Sequence, residues 1–259
     1  MTSAGPRGLL LDLDGTVYED GAPLPGAPEA VAALREGGVP VRFVTNTTRV
    51  PCATIARWLE GFGIPATKDD VFTPPRAAAA WLGERGVRRI SLCLPPESHA
   101  EFRAFDVTDR DPEVVVVGDL GRGWTFDVMN RVFRQVLDGV ELVALHRNRY
   151  WKSGGELLLD VGAFVAAFEY ATGRTATLVG KPSRAMFEAA AGSMGLGLAD
   201  VAMVGDDLQA DIGGSQALGI RGFMVRTGKF RAEEVEASEI SPDSIIDSVA
   251  SLPALLLGS

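Results

Sequence analysis

Short apolar runs alternate with amphipathic stretches along almost the whole chain, and several of these runs close on a polar or charged residue. Gly8–Leu13 reads as a strand, and Pro28–Arg35 as a helix stopped by Gly37-Gly38. Val39–Thr45 (VPVRFVT) is a second strand, and Pro51 sits where the first turn of the following helix tolerates proline. After Lys181-Pro182 come a helix (SRAMFEAAAGSMG), a strand (DVAMVG), a helix over 209–218 (QADIGGSQAL) and a strand (IRGFMV). Strands joined by helical crossovers predict an α/β fold, a doubly wound parallel sheet covered by helices.

The stretch between about Pro75 and Thr177 holds strands and helices of its own, among them VRRISLCL, VVVVG and TFDVMNRVFRQVLDG. About a hundred residues suffice for a small domain. The expectation is a core formed by 1–75 and 178–259, with 76–177 inserted as a second α/β domain. The alternative is one continuous sheet of about nine strands.

Composition narrows the partners. Lys plus Arg number 25 against 34 Asp plus Glu, a formal charge of −9, so nucleic acid and anionic membranes exert no bulk attraction. The amino terminus lacks a signal-peptide core, and no apolar run is long enough to span a bilayer. A cytoplasmic protein is expected. Cys52 and Cys93, with His99 and His146, match no disulfide framework or zinc spacing. Asn46-Thr47-Thr48 fits a glycosylation sequon, which has no consequence without export.

In open parallel sheets ligands bind beyond the carboxyl ends of strands. Four such ends carry polar groups here: Asp12-Leu13-Asp14-Gly15-Thr16, Thr45-Asn46, Gly180-Lys181-Pro182 and Gly205-Asp206-Asp207. Residues i and i+2 of a strand point to one side, roughly 6 to 7 Å apart, so Asp12 and Asp14 could flank a tetrahedral group. Gly15 permits a sharp turn, and Thr16 can hydrogen-bond a carboxylate. Asp206 closes its strand, Asp211 follows one helical turn after Asp207, and Asp207 by itself fits ordinary helix capping. Two acid clusters at neighbouring strand ends repel unless a cation lies between them, and hard oxygen donors suit Mg²⁺. A ligand that binds among these acids is itself an anion with metal-bridging oxygens, which fits phosphate. Thr45, Asn46 and Lys181 offer a hydroxyl, an amide and a positive charge for its oxygens.

Other motifs fail. Gly180-Lys181 lacks the remaining P-loop residues, Gly118–Gly123 (GDLGRG) falls short of a dinucleotide fingerprint, and Gly213–Ala217 lies within a helical stretch rather than at a nucleophile elbow.

The ordered set DLDGT, VTN, GKP and GDDLQAD resembles the four motifs of the haloacid dehalogenase superfamily. Asp14 matches its phosphatase branch. The early VTN and the long insertion resemble subclass IIA with a large α/β cap. LDVGAF, AFEYATG, VGKPS, GDDLQADIGGSQALG and VRTGKF are similar to the phospholysine phosphohistidine inorganic pyrophosphate phosphatase group. The resemblance implies a Mg²⁺-dependent phosphatase acting on a small phosphorylated metabolite through an aspartyl-phosphate. Asp12 would be the nucleophile and Asp14 the acid and base. The metal would be held by Asp12, the Asp14 carbonyl and Asp206, supported by Asp211, with Thr45, Asn46 and Lys181 on the phosphoryl oxygens. The family also implies specificity residues in the cap, for which His146–Gly155 (HRNRYWKSGG) is the chosen segment, and a possible homodimer. A non-catalytic phosphate-binding regulatory protein and a phosphoryl-transferring mutase are the alternatives.

Overall fold

The computed structural model describes residues 5–153 and 156–258, with side chains left aside for 151–153. The chain divides into two compact units, one formed by Met1–Thr45, Cys52–Phe72 and Lys181–Ser259, the other by Asn46–Pro51 and Thr73–Gly180. Eleven strands of the described residues build their two main sheets: β1 Gly8–Leu11, β2 Val41–Val44, β3 Val71–Phe72, β4 Arg89–Cys93, β5 Asp106–Val107, β6 Val114–Val117, β7 Glu141–Ala144, β8 Thr177–Leu178, β9 Val201–Gly205, β10 Arg221–Val225 and β11 Ser244–Ile246.

In the first unit the strand order is β11-β10-β9-β1-β2-β3, and every pair is parallel. Parallel strands covered on both faces need apolar residues at consecutive positions. That is why Gly8–Leu11 and Val201–Gly205 are buried at every residue. Helices supply the cover. Ala27–Glu36 buries Ala27, Ala30, Val31 and Leu34, and Cys52–Gly61 buries Cys52, Ile55, Ala56 and Leu59. Both sets repeat at i, i+3, i+4, i+7, the stripe that one helical face presents to a core.

The second unit carries its own parallel sheet in the order β8-β7-β6-β4-β5. A single continuous sheet is thereby excluded. Val115, Val117, Leu142 and Ala144 pack with Val132 and Val136 of helix Phe126–Leu137 and with Val165 and Phe168 of helix Val161–Thr172. Trp124 stacks on Phe164 at 4.7 Å between ring centroids. A short antiparallel hairpin, Tyr150–Ser153 with Glu156–Leu159, is legible in neither composition nor periodicity.

Two local expectations are corrected. The first strand ends at Leu11 rather than Leu13, because the Leu13 carbonyl gathers the N–H groups of Thr16, Val17 and Tyr18 into a tight turn. Asp12 and Asp14 therefore do not share an extended strand. The helix expected over 209–218 is a π-helical turn, Leu208–Gly213, followed by a short α segment, Gly214–Gln216. The Asp207 carbonyl accepts from both Asp211 and Ile212 there. The glycine pair weakens a regular helix, and such wide turns often sit at functional sites. No helix among the described residues is long and apolar enough to cross a membrane.

Leu9 is fully buried in β1, the strand flanked by β9 and β2. Leu9→Ala is expected to lower stability by about 2–5 kcal/mol, read as a lower urea midpoint at unchanged slope.

Candidate active site

The strand order of the first unit reverses direction between β1 and β9. From β1 the chain moves outward through β2 and β3, then returns to the other side for β9, β10 and β11. Crossovers leave opposite faces at such a switch point and open a crevice beyond the carboxyl ends of its two strands. Register then decides which side chains meet there. Leu11 lies level with Val204 on one side and Phe43 on the other. Asp12 is thus flanked by Asp206 and Thr45, each one residue further along its own strand, and its N–H is held by the Val204 carbonyl at 2.9 Å.

Three carboxylates converge at this point. Oxygens of Asp12, Asp206 and Asp211 all lie within 4.8 Å of one another, and all three residues are buried. Lys181 enters from the segment before helix Arg184–Gly192. Its buried ammonium donates to Asp12 Oδ1 and, at 2.7 Å, to Asp211 Oδ1. Burial alone would strip the lysine of its proton, but Asp12 and Asp211 outweigh that cost and hold its pKa above the ordinary value. Burial, reinforced by Asp12, pushes the Asp206 carboxyl up to about 7. Complete burial likewise drives Asp211 upward, while Lys181 pulls it back.

Asp206 is enclosed by two turns. Gly15 and Gly228 both have positive φ, +77° and +60°, and a methyl group on either would enter the Asp206 carboxylate. These two positions require glycine twice over, for conformation and for space. The Lys229 N–H donates to Asp206 Oδ2 at 2.7 Å, and the Thr227 hydroxyl donates to the Gly15 carbonyl at 2.6 Å. Lys229 Nζ pairs with Asp207 at 3.0 Å. Asp207 itself caps the following turn by accepting from Gln209 and Ala210. Lys229 and Ala210 N–H outweigh burial and hold its pKa low. Sequence reasoning missed Thr227 and Lys229, although they follow a strand end.

The other expected residues are distributed unevenly. Asp14 is exposed at the rim and bridges to Tyr18. Partial desolvation, and then the charge of Asp12, raise its carboxyl pKa. Thr45 is buried. Thr16 is fully buried, and its Oγ1 has no partner among the described residues. Asn46, half-buried, groups with the second unit. His146 also belongs there, buried 3.7 Å from Asp160, and burial lowers its pKa to about 4. Gly154 and Gly155 of the segment His146–Gly155 lie outside the described residues.

The centre fits a hard divalent cation. Its donor set is oxygen throughout, its acids outnumber the single buried lysine, and Asp206 Oδ1 is buried with no hydrogen-bond partner. A buried acceptor left alone is costly, and a cation is the partner that three acids would share.

Known proteins resemble the chain along almost its whole length. Residues 9–108 match the family model for haloacid dehalogenase-like hydrolases, and 178–252 match a second described as HAD-hydrolase-like. The chain is 37% identical over 260 residues to the phospholysine phosphohistidine inorganic pyrophosphate phosphatase of Bos taurus, covering 98% of this chain and 95% of the other. It belongs to the haloacid dehalogenase-like hydrolase family. Haloacid dehalogenase-like hydrolase domain-containing protein 2 of Pongo abelii is 38% identical over 230 residues, covering 89% and 88% of the two chains. Among solved structures, a 4-nitrophenylphosphatase of Thermotoga maritima superposes with a TM-score of 0.91 at 28% identity, covering 97% of each chain. A glycerol phosphate phosphatase of Mycobacterium tuberculosis, in complex with calcium, gives 0.86 at 28% identity over 95% of this chain and 74% of that one. These neighbours are subclass IIA phosphatases, and this member of the family is an enzyme of the same phosphatase type.

A carboxyl raised on folding favours the folded state at low pH and loses that advantage once the unfolded chain ionises while the folded one does not. For Asp206 the loss spans pH values from its ordinary pKa, 3.8, to about 7. In EDTA the native protein is expected to lose melting temperature relative to Asp206→Asn across that interval. Parallel melting curves would remove Asp206 from the buried acid centre.

Proposed function

We propose that this chain is a Mg²⁺-dependent phosphatase that hydrolyses a small phosphate monoester through an aspartyl-phosphate on Asp12. The observation that carries the reading is the convergence of Asp12, Asp206 and Asp211 around buried Lys181 at the switch point of the sheet. Positive charge at the base of an acidic crevice supports binding of a ligand with several anionic oxygens and favours the charge that develops as its bond breaks.

In this mechanism Asp12 attacks phosphorus, and the bond from phosphorus to the leaving oxygen breaks. Asp14 delivers a proton to that oxygen. The raised pKa of Asp14 suits it to carry the proton nearer neutral pH than an ordinary aspartate does. The carboxylate left on Asp14 then takes a proton from water as the water attacks the aspartyl-phosphate, and Asp12 is regenerated with release of phosphate. Thr45, Asn46 and Lys181 hold the phosphoryl oxygens through both displacements. Asp12, the Asp14 carbonyl and Asp206 would hold Mg²⁺, with Asp211 in support. The ion supplies charge neutralisation where the anionic ester meets the anionic nucleophile.

The relatives support a small, generic phosphoryl donor. Their names include phospholysine, phosphohistidine, inorganic pyrophosphate, 4-nitrophenyl phosphate and glycerol phosphate, which share little beyond a terminal phosphoryl group. The calcium in one solved neighbour is also a hard, oxygen-seeking dication. Residues 76–177 are proposed as the cap that selects the leaving group.

Asp12→Asn is expected to fold and to lose phosphate release from 4-nitrophenyl phosphate by on the order of 10³-fold or more. Asp14→Asn is expected to lose about 10²–10⁴-fold. Retained turnover in Asp12→Asn at saturating MgCl₂ would refute the assignment.

A further inference from the structure

We infer that the turn Thr227-Gly228-Lys229 is a positioning device for Asp206: it fixes one carboxylate oxygen by a backbone hydrogen bond and so presents the other to the bound dication. The inference rests on the reading above that Asp206 is a ligand of that ion.

The two oxygens of Asp206 are treated differently. Oδ2 accepts from the Lys229 N–H at 2.7 Å, whereas Oδ1 is buried without a partner. An aspartate side chain rotates broadly about its terminal torsion, so one short charge-assisted bond restricts which oxygen faces the crevice. Space restricts it further, since a methyl at Gly15 or Gly228 would intrude on the carboxylate and the two backbones converge beside it. The Thr227 hydroxyl then fastens the turn to the Gly15 carbonyl at 2.6 Å, across 212 residues of sequence. At the other end of the turn, Lys229 Nζ pairs with Asp207, the residue next to Asp206. The turn is thus anchored both to the loop that carries Asp14 and to the strand end that carries Asp206. Thr227 acts through Gly15, and the ammonium of Lys229 is turned to Asp207. Partners that orient metal-ligating carboxylates commonly change metal affinity 10–100-fold.

The test is a MgCl₂ titration of the substrate-free protein, followed by melting temperature, paired with the Mg²⁺ dependence of 4-nitrophenyl phosphate hydrolysis. Thr227→Val is expected to shift the Mg²⁺ midpoint about 10-fold higher, with the loss in activity falling on KM for Mg²⁺ more than on kcat. Thr227→Ser keeps the hydroxyl and is expected to restore the midpoint. Gly228→Ala is expected to shift it at least as far as Thr227→Val; should that variant not fold, the valine and serine pair decides. A Thr227→Val protein that melts lower by the same amount at every Mg²⁺ concentration, its midpoint unmoved, overturns the inference, because that is the signature of a purely structural contact. Asp206→Asn separates the two levels of argument. If it abolishes the Mg²⁺ response while Thr227→Val leaves it intact, only the positioning role falls. If Asp206→Asn keeps the full response, the ligand assignment falls, and the inference with it.

Discussion

Charge compensation around Lys181 is the constraint on which the rest of the first unit depends. Three carboxylates gathered in a buried space repel one another, and the lysine ammonium bonded to Asp12 and Asp211 offsets part of that repulsion. The compensation is incomplete, which is why burial keeps Asp206 and Asp211 well above the ordinary aspartate range. The residual negative charge is of the kind that a bound dication would offset. An inert core of similar volume would be built more simply from apolar side chains.

The sheet order makes this concentration of charge possible. Parallel strands cannot place their carboxyl ends together with a neighbouring loop unless crossovers diverge, and they diverge only where the order reverses. β1 and β9 stand at that reversal, and the lead of one residue that Asp206 and Thr45 hold over Asp12 follows from register alone. Backbone geometry therefore sets which positions meet at the end of the sheet before any side chain is chosen.

Much of this was legible from residue types. Apolar runs leading into Asp12, Thr45 and Asp206 marked strand ends, and the acids beyond two of them come together with Asp211 as oxygen donors of the kind that fit a hard cation. Other features were not. The shortened first strand depends on one carbonyl, that of Leu13, collecting three N–H groups, a choice among turns that leucine does not announce. The π-helical turn at Leu208–Gly213 differs from an α-helix by one residue per loop of hydrogen bonding, finer than hydrophobic periodicity resolves. Lys229 holds Asp206 through its backbone N–H, a group that every residue but proline carries, so no side-chain pattern could reveal it.

The separation of the contributing residues along the chain carries a consequence for synthesis. Asp12 and Lys181 stand 169 residues apart, and Asp211 follows 30 residues later. β1 emerges from the ribosome well before its partner β9, which begins only at Val201, after the entire second unit has been made. Contacts between segments so distant form late and close large loops. A growing polypeptide thus carries Asp12 through the whole synthesis of the second unit without the lysine and acids that gather beside it, and the buried centre can close only once Asp211 has been made.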